Sequence, residues 1–144
     1  LNEKKTRIVD FEQESFDFLG FRLSWRKGRS QKQYPHCEPS PKSCGNYREA
    51  IREETSRSTF WKAPDQVVAR INRRARGWIG YFHYANSSKV FGNMQWYTRE
   101  RVRRWLWKKH GKSKAHFGQA YDNARLHEHY GLIRFPLQTQ WQHS

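Results

Sequence analysis

The chain has 144 residues, enough for one domain or a domain with an appendage, and carries 28 Lys or Arg against 13 acids, a formal net charge of +15. Apolar residues make up only 35%, yet aromatics reach 16%; a disordered chain is normally poor in aromatics, so this composition calls for a folded core. No run of eighteen apolar residues occurs and the N-terminus lacks a signal-peptide pattern, so the expectation is a cytoplasmic protein that meets a polyanion rather than a bilayer.

Residues 1–26 read as a β-hairpin. Ile8, Asp10 and Glu12 share one parity, Gln13-Glu14-Ser15 offers a polar turn, and Phe16, Phe18, Phe21 and Leu23 follow as a second strand. Gly20 interrupts that strand, which marks a bulge or the close approach of another backbone. Residues 27–45 read as a basic, proline-rich linker or long loop, with Pro35, Pro39 and Pro41 forbidding regular helix. Cys37 and Cys44 are too few for a disulfide framework. With His36 they supply three metal ligands where a structural zinc site takes four at closer cysteine spacing, so reduced thiols and no metal are expected.

From Ser43 the pattern changes to a short helix of mixed charge, with Tyr47, Ala50 and Ile51 among Glu49, Arg52, Glu53 and Glu54. Its acids make it a poor phosphate contact. The main helix starts near Pro64, with Asp65 complementing its positive end. Val67, Ile71, Ala75, Trp78 and Phe82 form its apolar stripe, while Arg70, Arg73, Arg74, Gly77, Tyr81 and Tyr84 form the other face. No acid intersperses these arginines, and Gly77 and Gly80 each cost about 1 kcal/mol of helix propensity, which asks for close approach of another helix or of an RNA backbone.

Asn86-Ser87-Ser88 ends this helix and offers an N-cap to the next segment, which Gly92-Asn93 breaks before a longer helix from about 94 to 110. There Thr98, Val102, Trp105 and Leu106 face inward and Arg99, Arg103, Arg104, Lys108 and Lys109 outward. Residues 63–112 thus hold twelve Lys or Arg against two acids, the charge signature of nucleic-acid binding. A further helix before Gly131 carries His116, His127 and His129 without characteristic metal spacing. Residues 131–144 form a tail with too few periodic apolar positions to assign.

Lys5-Thr6-Arg7-Ile8-Val9 followed by Phe16-Asp17-Phe18-Leu19-Gly20-Phe21 resembles the last conserved block of the reverse transcriptase encoded by group II introns, where palm hands over to thumb. Ile71-Asn72-Arg73-Arg74-Ala75-Arg76-Gly77-Trp78-Ile79-Gly80-Tyr81-Phe82, then Asn86-Ser87-Ser88-Lys89-Val90-Phe91, then Arg103-Arg104-Trp105-Leu106-Trp107-Lys108-Lys109 resembles that family's maturase-specific domain, also called domain X or thumb. The resemblance implies residues 1–26 as the end of the palm and residues 46–130 as the helical thumb. It implies binding of intron RNA to assist splicing and of a template-primer duplex in reverse transcription, with the remainder of the reverse transcriptase as a further partner. Lys5, Leu19, Gly20 and Phe21 would then touch template-primer.

The expected fold is mainly α, a small bundle of three to four helices preceded by a short β-hairpin. The expected RNA-binding residues are Arg70, Arg73, Arg74, Arg76, Tyr81, Tyr84, Arg99, Arg103, Arg104, Lys108 and Lys109, since guanidinium forks suit phosphate oxygens and aromatic rings can stack on bases. Polymerisation in that family needs an aspartate pair holding catalytic magnesium, and Glu53-Glu54, the only adjacent acids, lack its strand-turn setting. The chain therefore reads as a non-catalytic C-terminal piece of a bacterial or organellar nucleoprotein, with no cofactor of its own and magnesium expected only in the absent palm. Two rival readings are a thumb with no splicing role and a stand-alone basic DNA-binding module.

Overall fold

A computed structural model describes residues 15–27, 32–111 and 120–136. In chain order these form β1 (Ser15–Phe18), β2 (Phe21–Lys27), β3 (Gln33–Pro39), α1 (Pro41–Glu54), a 3-10 turn (Arg57–Thr59), α2 (Pro64–Phe82), α3 (Ser88–Lys109) and a π-helical turn (Arg125–His129). The fold is mainly helical with a small antiparallel sheet in front, of order β1-β2-β3.

The hairpin lies further along than the parity pattern indicates. Phe18 pairs with Phe21, so Leu19 and Gly20 are the two turn residues, and both have positive φ, 54° and 89°. That is the geometry that lets a two-residue turn follow the right-handed twist of its strands. Gly20 is therefore the turn itself, neither a bulge nor a strand interruption. The Ile8-to-Glu12 strand lies outside the described residues.

The proline-rich stretch contains a strand where a loop is expected. Among the described residues β3 pairs only with β2, from Phe21↔Pro39 to Lys27↔Gln33, and so lies at the edge of the sheet, where a residue without an N–H is tolerated. Pro41 occupies the first turn of α1, where the missing N–H has no partner to lose, and Ser40 caps it by accepting from the Ser43 N–H at 3.1 Å. The two thiols behave as small apolar groups: Cys44 is buried in the core and Cys37 half-buried, and burial pushes both upward in pKa.

Hairpin and bundle meet at one point. The Gly20 carbonyl accepts from Ser40 N and from Ser43 Oγ, both at 2.8 Å, and a Cβ on Gly20 would lie 3.1 Å from Ser43 Oγ and 3.7 Å from the Phe82 and Tyr81 rings. Phe21 packs edge-on against Phe82, with ring centroids 4.9 Å apart, and stacks on Tyr81. On the other side Asn86, in the α2–α3 connection, donates its N–H to Cys37 O and accepts from Cys37 N through its side chain, as a strand neighbour would.

The core joins Tyr47 and Ile51 of α1 to Val67, Val68, Ile71, Ala75 and Phe82 of α2 and to Phe91, Met94, Val102, Trp105 and Leu106 of α3. Trp78 completes the stripe of α2 as expected, half-buried among Tyr47, Phe82 and Phe91. Two buried polar tips bond each to a threonine: Tyr47 hydroxyl with Thr98 Oγ1 at 2.7 Å, and Trp105 Nε1 donating to Thr59 Oγ1 at 2.9 Å. Helix α3 runs unbroken through Gly92-Asn93, and its Ser87 hydroxyl donates back to Phe82 O instead of capping forward. A Cβ added at Gly77 or Gly80 would meet open space among the described residues, so close helix packing does not explain either glycine.

Residues 131–136 pack rather than fray. Leu132 and Phe135 are buried without any periodic element. Their backbone is satisfied by side chains: Asn72 bonds both Gly131 O and Ile133 N, and Gln95 Oε1 accepts from Phe135 N. No helix among the described residues is long and apolar enough to cross a membrane.

Gly20→Val should destabilise the chain by about 1–3 kcal/mol, because a β-branched residue strains the positive φ and its Cβ crowds Ser43. A wild-type melting curve for this variant would show that the Gly20 corner does not hold hairpin to bundle.

Candidate nucleic-acid interface

Helix α1 ends in the middle of the cationic elements. Glu54, its last residue, is only 4% exposed, and its two carboxylate oxygens accept from Arg70 Nε and Arg74 Nε, each at 2.9 Å. Arg70 and Arg74 are four residues apart, one turn of α2, so a single carboxylate can reach both. Burial pushes the Glu54 carboxyl upward, but the two arginine hydrogen bonds and their charges outweigh it and hold it below the usual range. Both arginine side chains remain nearly half exposed, at 48% and 41%, so their outer edges stay in solvent.

The next residue performs the same task for α3. Thr55 accepts from Arg101 Nε through Oγ1 at 3.0 Å and from Arg101 Nη2 through its carbonyl at 3.4 Å. Beyond it, Thr55, Ser56, Arg57, Phe60, Arg101, Arg104, Trp105 and Lys108 enclose a polar cleft of about 500 Å³. Arg57, Arg104 and Lys108 are exposed there. The α1 end and the 3-10 turn therefore form a knuckle between two cation groups, Arg70, Arg73 and Arg74 on α2 and Arg101, Arg104 and Lys108 on α3.

The α3 cations divide by helical phase. Residues 101, 104 and 108 fall within one sector, whereas 99 and 103 each stand two positions from 101 and so about 200° around the helix from it. Arg103 is buried there: it donates to Tyr121 O at 2.6 Å, to Asn123 and to Glu100. Arg99 donates from Nε to His127 Nε2 at 2.8 Å, and His127 Nδ1 meets Leu132 O at 2.8 Å, an arrangement satisfied by a neutral ring carrying its proton on Nδ1. Burial, then the charges of Arg99, Arg134 and Arg103, hold His127 below its usual pKa against the pull of the Leu132 carbonyl. Arg99 and Arg103 thus anchor the C-terminal segment and do not project outward with Arg104.

Other expected contacts are partly committed to the protein. Lys109 donates to Phe60 O and lies 5.4 Å from the Trp105 ring centre. Tyr81 donates its hydroxyl to Leu19 O at 2.7 Å, which ties it to the hairpin turn. Tyr84 is 65% exposed, and Arg73 and Arg76 are exposed. Of the residues expected at template-primer, Leu19 is exposed, Gly20 and Phe21 form the docking corner, and Lys5 lies outside the described residues.

Sequence reading missed Glu54, Arg57 and Arg101 as members of this face. The unscreened Arg70-Arg74 pair signals that an acid must come from elsewhere, but spacing alone does not say which.

A family model described as Group II intron, maturase-specific domain, matches residues 46–122, just over half of the chain. The chain belongs to this family. No curated protein matches it. The matched segment of the maturase-specific domain begins inside α1 and contains the whole knuckle with both cation groups, while the sheet lies before it.

Glu54→Gln should cost about 2 kcal/mol in denaturant unfolding, less than a fully enclosed ion pair because both arginines reach water. Since the carboxyl lies below its ordinary 4.5, its contribution is complete above that pH and is lost as pH falls through the lowered value. The gap between wild type and Glu54→Gln should accordingly close in acid; a gap that persists there would contradict the ionic role. Arg103→Ala should lose about 2–3 kcal/mol by removing a buried guanidinium together with its bonds to Tyr121 O, Asn123 and Glu100, while Lys108→Ala stays within about 0.5 kcal/mol. Equal effects of the two would contradict the division of α3.

Proposed function

We propose that this maturase-specific domain binds group II intron RNA and assists its folding for splicing, using the face that the α1 knuckle organises. The observation that carries the reading is the knuckle itself. Glu54 and Thr55 fix Arg70, Arg74 and Arg101 while Arg57, Arg73, Arg104 and Lys108 stay exposed, so cations from two helices and a turn gather around the end of α1. Guanidinium groups held in this way suit phosphate oxygens, whose neutralisation releases condensed counterions and gives salt-dependent affinity. The family supports RNA of a group II intron as the partner.

In this reading the same face holds a template-primer duplex when the chain acts with the remainder of a reverse transcriptase. The chain contributes binding and not polymerisation: the family match is to the maturase-specific domain, and the carboxylate at the centre of the face is occupied by two arginines rather than set to hold magnesium. Arg99 and Arg103 act in it as anchors of the C-terminal segment, and Arg76 and Tyr84 remain peripheral contacts.

Binding to structured intron RNA, measured across a salt series, should weaken for the Arg104→Ala/Lys108→Ala double variant, with the log–log slope lowered by about 1 to 2. An unchanged slope would remove the cleft from the interface. Equal wild-type affinity for structured intron RNA and for a plain RNA–DNA duplex at matched salt would overturn the splicing role while leaving template-primer binding intact.

A further inference from the structure

We propose that Trp61 is a stacking platform for an unpaired RNA nucleotide whose phosphates are held by Lys62, Arg70 and Arg73. The inference rests on the RNA-binding reading above and adds a site on the opposite flank of the knuckle from the α3 cleft.

Trp61 is 78% exposed, while Trp78 and Trp105 serve the core. Its place is nevertheless fixed. Thr59, two residues before, is buried and bonded to Trp105, Phe60 packs against the core, and Lys62 N donates to Thr59 O at 3.0 Å. A large apolar ring is thus held out in water by a well-anchored turn. Packing among the described residues gives no reason for it.

The surroundings match the two halves of a nucleotide. Trp61, Lys62, Gln66, Ala69, Arg70 and Arg73 line an open concavity of about 350 Å³. Lys62 Nζ lies 5.6 Å from the Trp61 ring centre, and Arg70 is held in place by Glu54, so part of the cation set is ordered before any ligand arrives. Ala69 is small enough to leave the floor open. Gln66 accepts from Ala63 N through Oε1 at 3.3 Å, which leaves its amide nitrogen as a donor for a base edge. An indole face beside cations takes any base that is free to stack, whereas bases inside a duplex already stack on one another.

The test uses the full chain with two probes at one salt concentration, a single-stranded RNA of about ten nucleotides and a duplex RNA of matched length. Trp61→Ala should weaken binding of the single strand by about tenfold and leave the duplex within about twofold, while Trp61→Phe retains most of the single-strand affinity. Arg73→Ala should weaken both probes and lower the salt slope, which Trp61→Ala should not change. The exposed position predicts an unaltered melting curve for Trp61→Ala, and this serves as the folding control.

Wild-type-like binding of the single strand by Trp61→Ala overturns the platform and leaves RNA binding standing. Equal weakening of both probes overturns it as well, since the ring would then not distinguish unpaired bases. Failure of the wild type to bind either RNA overturns the underlying reading itself. Trp61-dependent binding to vesicles containing phosphatidylserine, without a Trp61 effect on RNA, would reassign the ring to a membrane surface.

Discussion

The buried carboxylate of Glu54 is the group on which the cationic face depends. It closes α1 at the point where α2 and α3 both approach, and one side chain there receives two arginines from successive turns of α2. The helix end adds its own negative character, because the last carbonyls of α1 lack partners within the helix. Arg101 comes to the Thr55 carbonyl and hydroxyl, and Lys109 to the carbonyl of Phe60 just beyond the 3-10 turn. Cations from two helices are thus drawn to a single small acceptor cluster at the end of α1.

This arrangement resolves the repulsion built into α2. Arg70, Arg73, Arg74 and Arg76 crowd seven residues of a helix that carries no acid from 66 to 82. Like charges one turn apart destabilise a helix when nothing lies between them. Glu54 lies between two of these, and its own burial is tolerable only because both of its oxygens are engaged. Neither side is stable alone: removing the acid leaves paired cations, and removing the arginines leaves a buried charge.

Elements governed by periodicity were legible in the sequence. The apolar stripe of α2 from Val67 to Phe82 and the start of the helix near Pro64 follow from spacing and proline placement, and the structure has both. Elements governed by tertiary pairing were not. Residues 131–136 show no period because Asn72 and Gln95 supply the hydrogen bonds that a strand or helix would supply itself. Strand β3 hides behind prolines that an edge position tolerates. For the cationic face, composition located the charge, but grouping Arg99 and Arg103 with Arg104 overlooked that residues one and five positions apart are turned by more than a quarter of the helix circle. Glu54 was hidden for another reason, since its partners are sixteen and twenty residues away.

The balance of charge across α3 also bears on how binding and folding are coupled. Arg99 and Arg103 hold the segment around Tyr121, His127 and Leu132: Arg103 bonds the Tyr121 carbonyl, Asn123 and the Glu100 carboxylate, and Arg99 bonds His127. Arg57, Arg104 and Lys108 instead share one cleft with Arg101, whose polar partners are neutral oxygens of Thr55. Like charges gathered in one cleft raise the energy of the folded state, and an anion that enters it relieves that repulsion only where the fold has assembled it. A polyanion bound there stabilises the native chain by mass action as well as by contact. In a complex of the proposed kind the cleft would gain from the anion, and the anchoring arginines on the opposite face would keep α3 in place with and without it.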